Sequence, residues 1–367
     1  MSRVERARVA FEAGRSLKEG FRLAQLQALV QLLDEHEGDF VDALGRDLHK
    51  PRFETLVSEL VLVKNEALHA INNLKKWMQP QFVERNLSTT MDECLVVREP
   101  LGVVFIIGTW CSPVQMCLVP LVGAIAAGNC AVISPSENTV HTAELLHRLV
   151  PFYLDNASIS EVTVARLKGQ TMYFNIKLIA QAAASTLTPV TLILGSKNPC
   201  YVDQHCDVAT AAQRIAWARF HNAGQSLVAP DYVLSPTILT EVVESDPIMQ
   251  QEVFGPVLPI MTVNNINEAI AFINKQAKAL CVYAYSSDSK VHIRAHETSS
   301  GSFCSNDSVL QSVMVALPFG GVGASGMGSC HGRYSFDTFS HMKSCLLRGT
   351  RFECVTYLRY PAQLEQH

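Results

Sequence analysis

Apolar residues recur at helical spacing in the first third of the chain, which predicts amphipathic helices there. The clearest set follows the three- and four-residue intervals of one helix face: Leu26, Leu29, Val30 and Leu33. A second long helix is predicted over residues 54–77, ending before Pro80. Over residues 86–97 the pattern changes to short polar and β-prone residues, which indicates an extended arm.

The most apolar stretch, residues 101–133, predicts a βαβ unit. Residues 103–107 indicate a buried strand, residues 116–127 a helix, and residues 131–133 a second strand. Prolines, glycines and an asparagine interrupt the stretch, so no continuous apolar helix of about 20 residues could span a membrane here. Helices and strands alternate as far as residue 202, as in a doubly wound α/β domain.

A second α/β unit is predicted in the last third of the chain. Residues 207–220 indicate a helix with Asp207 near its N-terminus, where a carboxylate suits the helix dipole. Further strands are predicted over 257–263, 279–286 and 301–304, with a helix over 266–275. A length of 367 residues suggests two domains with a smaller appendage.

Composition narrows the classes of function. Apolar residues make up 48% of the chain and charged residues 17%, which favours a large core over disorder. A net charge of −4 without a basic block argues against nucleic acid as a partner. The 11 cysteines are scattered without a CxxC pair, and the 12 histidines show no ligand spacing. We therefore expect a reduced cytosolic protein without a metal site, and the charged N-terminus does not resemble a signal peptide.

Several segments, in a shared order, resemble the aldehyde dehydrogenases, most closely class 3. They are 46–50 (RDLHK), 99–104 (EPLGVV), 119–129 (VPLVGAIAAGN), 191–199 (TLILGSKNP), 222–232 (NAGQSLVAPDY), 251–256 (QEVFGP), 317–328 (LPFGGVGASGMG), 331–332 (HG) and 335–341 (SFDTFSH). One such match alone is weak evidence, but their number and order identify the family. The chain contains no GxGxxG motif, and because this family binds NAD(P) by an unusual route, that absence does not count against the assignment.

The resemblance implies an α/β aldehyde dehydrogenase fold. We expect a Rossmann-type cofactor domain over 1–205, with a bridging arm at about 84–99. A shortened catalytic domain over 206–328 and a C-terminal bridging or oligomerisation segment over 329–367 complete the expected organisation. By resemblance, the reaction is oxidation of a small-molecule aldehyde to a carboxylic acid with NAD or NADP, in a homodimer.

The positions that carry the chemistry in relatives are altered. Leu227 stands where the family has the cysteine that attacks the substrate carbonyl, and Ile193 stands where a glutamate acts as general base. Cys111 replaces the asparagine whose amide donates to the oxyanion. Ser196 stands where a second glycine usually lies, so its Cβ is expected to crowd the backbone. These replacements predict impaired catalysis.

The cofactor positions are altered only in part. The resemblance assigns them to Trp110, Ser134, Glu137, Leu194, Gly195, Glu252 and Phe254. Ser134 replaces a ribose-contacting lysine, whereas Glu252 and Phe254, which in relatives hold the nicotinamide ribose and pack nearby, are retained. A glycine-containing turn that follows residues 173–174 in relatives is missing, so the next helix is expected to follow directly. Weak or lost NAD(P) binding is predicted.

Two segments are shorter than in relatives. One lies between residues 153 and 173, and the other follows residues 232–234, where relatives have several tens of further residues. Such losses are expected to expose apolar surface and the edges of sheets.

Three interpretations stay open at this point. The chain is a catalytically impaired member or pseudoenzyme, an active oxidoreductase that uses a displaced thiol such as Cys111, or a non-catalytic dimerisation module built on the arm and on residues 336–347. Residues 360–367 contain neither an apolar run nor a terminal Cys-a-a-X box. A cytoplasmic location without a membrane partner is therefore expected.

Overall fold

The computed structural model describes residues 2–86, 89–90, 92–161 and 172–349. Its helices are α1 (Arg3–Glu12), α2 (Glu19–Glu35), α3 (Glu37–Leu48), α4 (Arg52–Thr55), α5 (Val61–Trp77), α6 (Gln115–Ala127), α7 (Val140–Tyr153), α8 (Met172–Ser185), α9 (Val208–Phe220), α10 (Pro247–Gln250), α11 (Ile266–Lys275), α12 (Ser289–Ile293) and α13 (Gly332–Thr338). Its strands are β1 (Gln81–Phe82), β2 (Glu93–Pro100), β3 (Val103–Ile107), β4 (Cys130–Ser134), β5 (Ile159–Glu161), β6 (Leu192–Ile193), β7 (Pro199–Val202), β8 (Tyr232–Ser235), β9 (Ile260–Thr262), β10 (Ala279–Tyr285), β11 (Ser300–Ser305), β12 (Gly326–Met327) and β13 (Ser340–Leu347). The predicted α/β class is confirmed.

The helices predicted from the apolar spacing of the first third are present. Leu26, Leu29 and Leu33 of α2 are fully buried and share one core with α5 and α6. The predicted helix over 54–77 is a continuous run of α4, a π-helical turn at Leu56–Leu60 and α5. A π turn shifts the register of the side chains by part of a turn, and such turns are frequent near functional sites.

A three-stranded parallel sheet, in the order β3-β4-β5, forms the predicted βαβ unit. Its register aligns Val103 with Cys130 and Ile107 with Ser134, so β3 and β4 end at the same edge. Nearly every residue of α6 is buried, because this helix lies between the sheet and the N-terminal helices. Small buried side chains from α1 pack with Cys130 and Val132 of β4 in a separate cluster.

The second sheet has five parallel strands in the order β11-β10-β7-β8-β9. Strand β7 is one of them, although the sequence placed it in the first domain, with a boundary at residue 205. The short strand β6, only five residues before β7, instead pairs antiparallel with β12. The chain therefore enters the five-stranded sheet at β7, before residue 205, where the sequence analysis placed the end of the cofactor domain.

The predicted elements of this second unit are present with changes at their ends. Asp207 caps α9, and its Oδ1 accepts hydrogen bonds from the backbone N–H groups of Ala209 and Thr210 at 3.1 and 3.3 Å. The strand predicted over 257–263 is shorter and covers only Ile260–Thr262. Proline at 259 removes a backbone donor immediately before this strand.

The last part of the arm predicted over residues 86–97 belongs to β2, in a small sheet of order β1-β2-β13, while residues 87, 88 and 91 lie outside the described residues. Strand β13 pairs antiparallel with β2 along eight residues, from Ser340 opposite Pro100 to Leu347 opposite Glu93. Arg98 of β2 is joined to Asp337 of α13 at 2.6 Å, which ties the arm to the body of the protein. No helix in the described ranges has the length and apolar character to cross a bilayer.

Candidate active site

The loop that carries Leu227 follows α9 and has a strained backbone. Asn222, Ala223 and Gly224 adopt successive left-handed conformations, with φ of 50°, 57° and 80°. Residues other than glycine rarely adopt this region. A Cβ on Gly224 would lie 2.9 Å from the backbone nitrogen of Pro256, so only glycine lets the two segments approach. The loop is thus fixed in a shape that its own sequence does not favour.

Asn222 holds this shape in place. Its Nδ2 donates to the carbonyls of Cys111 and Gln225, both at 2.9 Å, and its backbone N–H donates to Glu54 Oε2 at 2.9 Å. Gln225 Nε2 in turn donates to the carbonyl of Asn222 at 3.0 Å. Through Asn222, the loop is joined to the segment that contains Cys111 and to α4.

Leu227 and Ile193 pack against the same hydrophobic cluster. Both side chains are partly buried beside its apolar members: Cys200, Val202, Ala211, Ile215, Val233, Leu280, Cys281, Tyr283, Tyr285 and Phe319. Ile193 is fixed by the pairing of β6 with β12, where it lies opposite Gly326. Neither side chain can attack a carbonyl or accept a proton, so this pair of positions supplies packing and no acid–base or nucleophilic chemistry.

Asn198 and Ser196 attach the same loop to the second sheet. Asn198 Nδ2 donates to the carbonyls of Leu227 at 2.8 Å and Ala229 at 3.0 Å. The Ser196 hydroxyl donates to Asn198 Oδ1 at 2.8 Å and accepts from the backbone N–H of Leu280 at 2.6 Å. The sequence led us to expect crowding at Ser196. The structure shows that its hydroxyl is hydrogen bonded and supports the loop.

Cys111 lies in a buried position beside this loop. It is 3% exposed, and its Sγ is 3.3 Å from the hydroxyl of Thr109. Burial raises the pKa of the Cys111 thiol. The hydrogen bond with the Thr109 hydroxyl opposes this shift but is the smaller effect. A thiol with a raised pKa stays protonated at neutral pH and is a poor nucleophile. The geometry therefore does not favour Cys111 as a displaced nucleophile.

A fully buried ion pair supports the backbone around Cys111. Lys50 Nζ lies 2.6 Å from Glu59 Oε1 and also donates to the carbonyl of Cys111 at 3.4 Å. Glu59 Oε2 accepts from the backbone N–H of Gln115, at the start of α6, at 2.9 Å. In the same sequence motif, Asp47 accepts from the backbone N–H of Thr142 in the first turn of α7 at 2.8 Å. The motif over 46–50 therefore positions two helices of the first unit.

His221 was not singled out from the sequence. Its Nδ1 lies 3.7 Å from Glu54 Oε2, and its ring centroid lies 5.7 Å from that of Trp217. Burial lowers the pKa of His221, and the Glu54 carboxylate opposes that shift. A neutral imidazole can donate or accept a proton. Its place immediately before Asn222, in the loop that carries Leu227, is the signal that could have identified it.

On the cofactor side, Glu252 lies directly against Gly195. A Cβ on Gly195 would lie 2.8 Å from the carboxyl carbon of Glu252, so a side chain at position 195 would displace this carboxylate. Leu194 is fixed beside it by a hydrogen bond from its N–H to the carbonyl of Ser325 at 3.1 Å. Three of the predicted cofactor positions, Leu194, Gly195 and Glu252, are thus brought together.

The aromatic rings of Trp110 and Phe254 also meet, with centroids 5.4 Å apart in an edge-to-face arrangement. Ser134 is buried at the end of β4, where its carbonyl accepts from the N–H of Gly108 at 2.9 Å. Because β3 and β4 end at the same edge, Ser134 and the segment that leads to Trp110 lie on that edge together. Glu137 is exposed a few residues further along.

Charged side chains hold the irregular segment that carries Glu252 and Phe254. Asp231 lies between Lys197, at 2.5 Å, and Arg219, at 3.4 Å. Asp231 Oδ1 also accepts from the backbone N–H of Val253 at 2.8 Å. Arg219 donates to the carbonyls of Val253 and Gly255, and Lys197 to those of Ile248 and Gln251.

Burial raises the pKa of Asp231 and lowers the pKa of Arg219, while their mutual attraction opposes both shifts. Glu252 acts with Asp231 in favouring the charged form of Arg219. This buried cluster of opposite charges fixes the position of Glu252 and Phe254.

The helix expected to follow residues 173–174 directly is present, since α8 begins at Met172. No glycine-containing turn therefore intervenes between those residues and the helix. The shortened segment between residues 153 and 173 falls largely outside the described residues, as do positions 350–367 of the C-terminus.

Comparison with known proteins agrees with this architecture. The model of the aldehyde dehydrogenase family matches residues 2–152, 175–234 and 226–345. Aldehyde dehydrogenase family 3 member B1 of Homo sapiens is 40% identical over an alignment of 439 positions, which covers 98% of this chain and 94% of the relative. That alignment has more positions than this chain has residues, so the relative contains segments that this chain lacks. The chain belongs to the aldehyde dehydrogenase family.

Solved structures show the same fold. The substrate-bound structure of Staphylococcus aureus AldH superposes with a TM-score of 0.91 at 30% identity and covers 99% of both chains. The NAD+ complex structure of the aldehyde dehydrogenase from Bacillus cereus superposes with a TM-score of 0.85 at 20% identity, over 94% of this chain and 88% of that one. The overall arrangement of the family is therefore kept.

Proposed function

We propose that this chain is a catalytically impaired aldehyde dehydrogenase, a pseudoenzyme with respect to aldehyde oxidation. The observation that carries the proposal is the shared packing of Leu227 and Ile193 in one apolar cluster, at the positions where the resemblance places a thiol and a carboxylate. The family reaction begins with thiolate attack on the carbonyl and needs a base to activate water for hydrolysis of the thioester. Leu227 cannot act as the nucleophile of the first step, and Ile193 cannot act as the base of the second.

The nucleotide of the proposed site is NAD or NADP, by analogy with the Bacillus cereus complex. Support comes from the grouping of Glu252 against Gly195 and of Trp110 with Phe254. Ser134, which is buried and neutral, lowers the expected affinity because it offers no positive charge to the nucleotide. Binding weaker than that of catalytically intact relatives is therefore proposed. When bound, the nucleotide would supply a hydride acceptor.

We infer a homodimer that forms through the small sheet of β1, β2 and β13. Its support is the eight-residue pairing of β13 with β2, which presents an extended edge, and the apolar exposure of Met342 and Leu346 on that strand. A cytoplasmic location is proposed on the basis of the scattered cysteines. Dimerisation without catalysis is the second candidate function, and this sheet is the observation that favours it.

The experiment measures reduced nicotinamide absorbance with purified protein, NAD or NADP, and an aromatic or medium-chain aldehyde. The unmodified chain should give no rate above the protein-free blank. Leu227→Cys alone should recover little, because Ile193 cannot assist deacylation, whereas Leu227→Cys with Ile193→Glu should give a measurable slow rate. Leu227→Ala is the matched control, since it opens the same space without a thiol. Turnover by the unmodified chain at an ordinary rate of about 1–1,000 per second would refute the proposal.

A further inference from the structure

Strand β9 is the last strand of the five-stranded sheet, and within the described residues no strand pairs with its outer side. It pairs with β8 through Val233 opposite Ile260 and Ser235 opposite Thr262. The backbone N–H of Val233 donates to the carbonyl of Pro259, and that of Val263 donates to the carbonyl of Ser235.

Because backbone groups alternate in direction along a parallel strand, those of Ile260 and Thr262 face away from β8. Such an edge is a template for a further strand.

The segment that follows β8 covers this edge without forming a strand. The Thr240 hydroxyl donates to the carbonyl of Ile260 at 2.6 Å, which is one of the outward-facing acceptors. The Thr262 hydroxyl accepts from the backbone N–H of Thr240 at 3.0 Å and donates to the carbonyl of Ile238 at 2.8 Å. The Thr240 hydroxyl therefore takes up one acceptor that a neighbouring strand would otherwise use, and the Thr262 hydroxyl holds the backbone of the covering segment against β9.

Burial of its central apolar side chain does not hold this segment, because Leu239 is 87% exposed. At its far end, Val242 packs against the apolar cluster that contains Leu234 and Met261, and polar contacts add to this packing. Val243 N–H donates to Asp246 Oδ2 at 2.9 Å, and the Glu244 carboxylate accepts from Lys275 at 2.8 Å and from Gln276 at 3.0 Å. The segment is thus attached to the sheet at its middle and to the end of α11 at its far end.

We propose that residues 236–243 form a strap that closes the edge of β9 against strand addition by a second copy of this chain. The strap lies where the resemblance indicates a shortened connection, and the shortening was expected to leave a sheet edge open. Edges in proteins are commonly blocked by a covering loop, and here the covering depends on threonine hydroxyls. The inference does not depend on the proposed loss of catalysis, because it concerns only the contacts of β8, β9 and the strap.

The test compares Thr240→Val, Thr240→Ser and Thr237→Val in the full chain. Thr240→Val keeps the side-chain volume and removes the hydroxyl that donates to β9, whereas Thr240→Ser keeps that hydroxyl. Thr237→Val is the matched control, because the Thr237 hydroxyl contacts Ser235 Oγ at 3.0 Å and not β9. Hydrogen exchange of a peptide over 257–263 reports on the edge, and light scattering against concentration reports on association.

Thr240→Val should exchange several-fold faster over 257–263 and should form species larger than those of the unmodified chain at tens of micromolar. Thr240→Ser and Thr237→Val should match the unmodified chain in both measurements. Unchanged exchange and association in a folded Thr240→Val variant would overturn the proposal. So would equal effects in the Val and Ser variants, or a global loss of structure in Thr240→Val without larger species, because the hydroxyl would then not be closing an edge.

Discussion

The carboxylate of Glu252 occupies the space where a side chain at position 195 would begin, so that the two residues form one closely fitted pair. A Cβ on Gly195 would lie 2.8 Å from the carboxyl carbon of Glu252. Unless Glu252 moves, the fit leaves no room for a side chain at position 195, although the neighbouring residues Leu194 and Ser196 have side chains. It also makes the position of Glu252 sensitive to a single methyl group.

Gly195→Ala should destabilise the protein by about 1–3 kcal/mol, because the new methyl group must displace Glu252 or shift the backbone. Glu252→Ala in the same chain should relieve most of that loss. A double-mutant cycle from urea unfolding of the four proteins measures the coupling. Strict additivity of the two single changes would show that the methyl group and the carboxylate do not compete for space.

Ala223→Gly should raise the free energy of unfolding by about 1 kcal/mol. Ala223 has a φ of 57°, which is strained for a residue with a Cβ and free of strain for glycine. Ala216→Gly, in the interior of α9, is the control and should instead lower it by about 1 kcal/mol. Thermal unfolding of the unmodified chain and of the two variants measures these changes. A loss of stability in Ala223→Gly would contradict the assignment of strain to this loop.

Lys50→Met should destabilise the protein by about 3–5 kcal/mol, because it leaves Glu59 buried without its partner. The pair is separated by 2.6 Å and has no exposed side-chain surface. Lys50→Met with Glu59→Leu should be more stable than Lys50→Met alone, since no buried charge is then left unpaired. Lys64→Met breaks a pair with the more exposed Asp34 and should change stability by less than about 1 kcal/mol.

Urea unfolding measures all three variants of the Lys50 and Lys64 series. Similar losses for Lys50→Met and Lys64→Met would mean that burial does not set the strength of the first pair.

Acid should reduce stability partly through His221. Burial holds the pKa of His221 below its ordinary value of 6.5, so below that pH the folded chain binds fewer protons than the unfolded chain. The stability that the folded chain gains by keeping His221 neutral is therefore complete above about pH 6.5, and it is lost as the pH falls through the folded-state pKa of His221. For one proton, the slope cannot exceed about 1.4 kcal/mol per pH unit.

His221→Gln should flatten this part of the pH profile, whereas the same change at the exposed His341 should leave it unaltered. Urea midpoints between about pH 5 and pH 7.5 provide the measurement. An unchanged slope in His221→Gln would show that other groups account for the acid sensitivity.

Local patterns predicted the individual elements of this fold well. The long apolar stretch predicted the βαβ unit because its turn residues divide it into strand, helix and strand lengths. Asp207 predicted the start of α9 because a capping carboxylate binds the backbone of the turn that follows it. The assignment of β7 was wrong because β6 and β7 are close in sequence but pair with strands from distant parts of the chain. Periodicity within a strand does not specify its partner.

The same limit applies to the candidate site. The replaced residues Leu227, Ile193 and Cys111 were recognisable from their flanking motifs. His221 was missed because its neighbour Glu54 lies in a helix distant in sequence. Asn222 also donates a hydrogen bond to Glu54, although the two residues are 168 positions apart. The hydrogen bonds of the Ser196 hydroxyl were not predictable for a similar reason. Its acceptance of a hydrogen bond from Leu280 depends on a strand 84 positions away.

The pairing of β2 with β13 has a consequence for how the protein is made. Contacts around this sheet join distant parts of the chain, with Arg98 and Asp337 separated by 239 positions and Asp92 and Arg348 by 256. A ribosome releases the chain from its N-terminus, and strands whose partners are distant wait longest before pairing. Strand β2 must therefore remain without its longest partner until the chain has been synthesised beyond residue 347, so this small sheet closes later than the two parallel sheets, whose last strands end at residues 161 and 305.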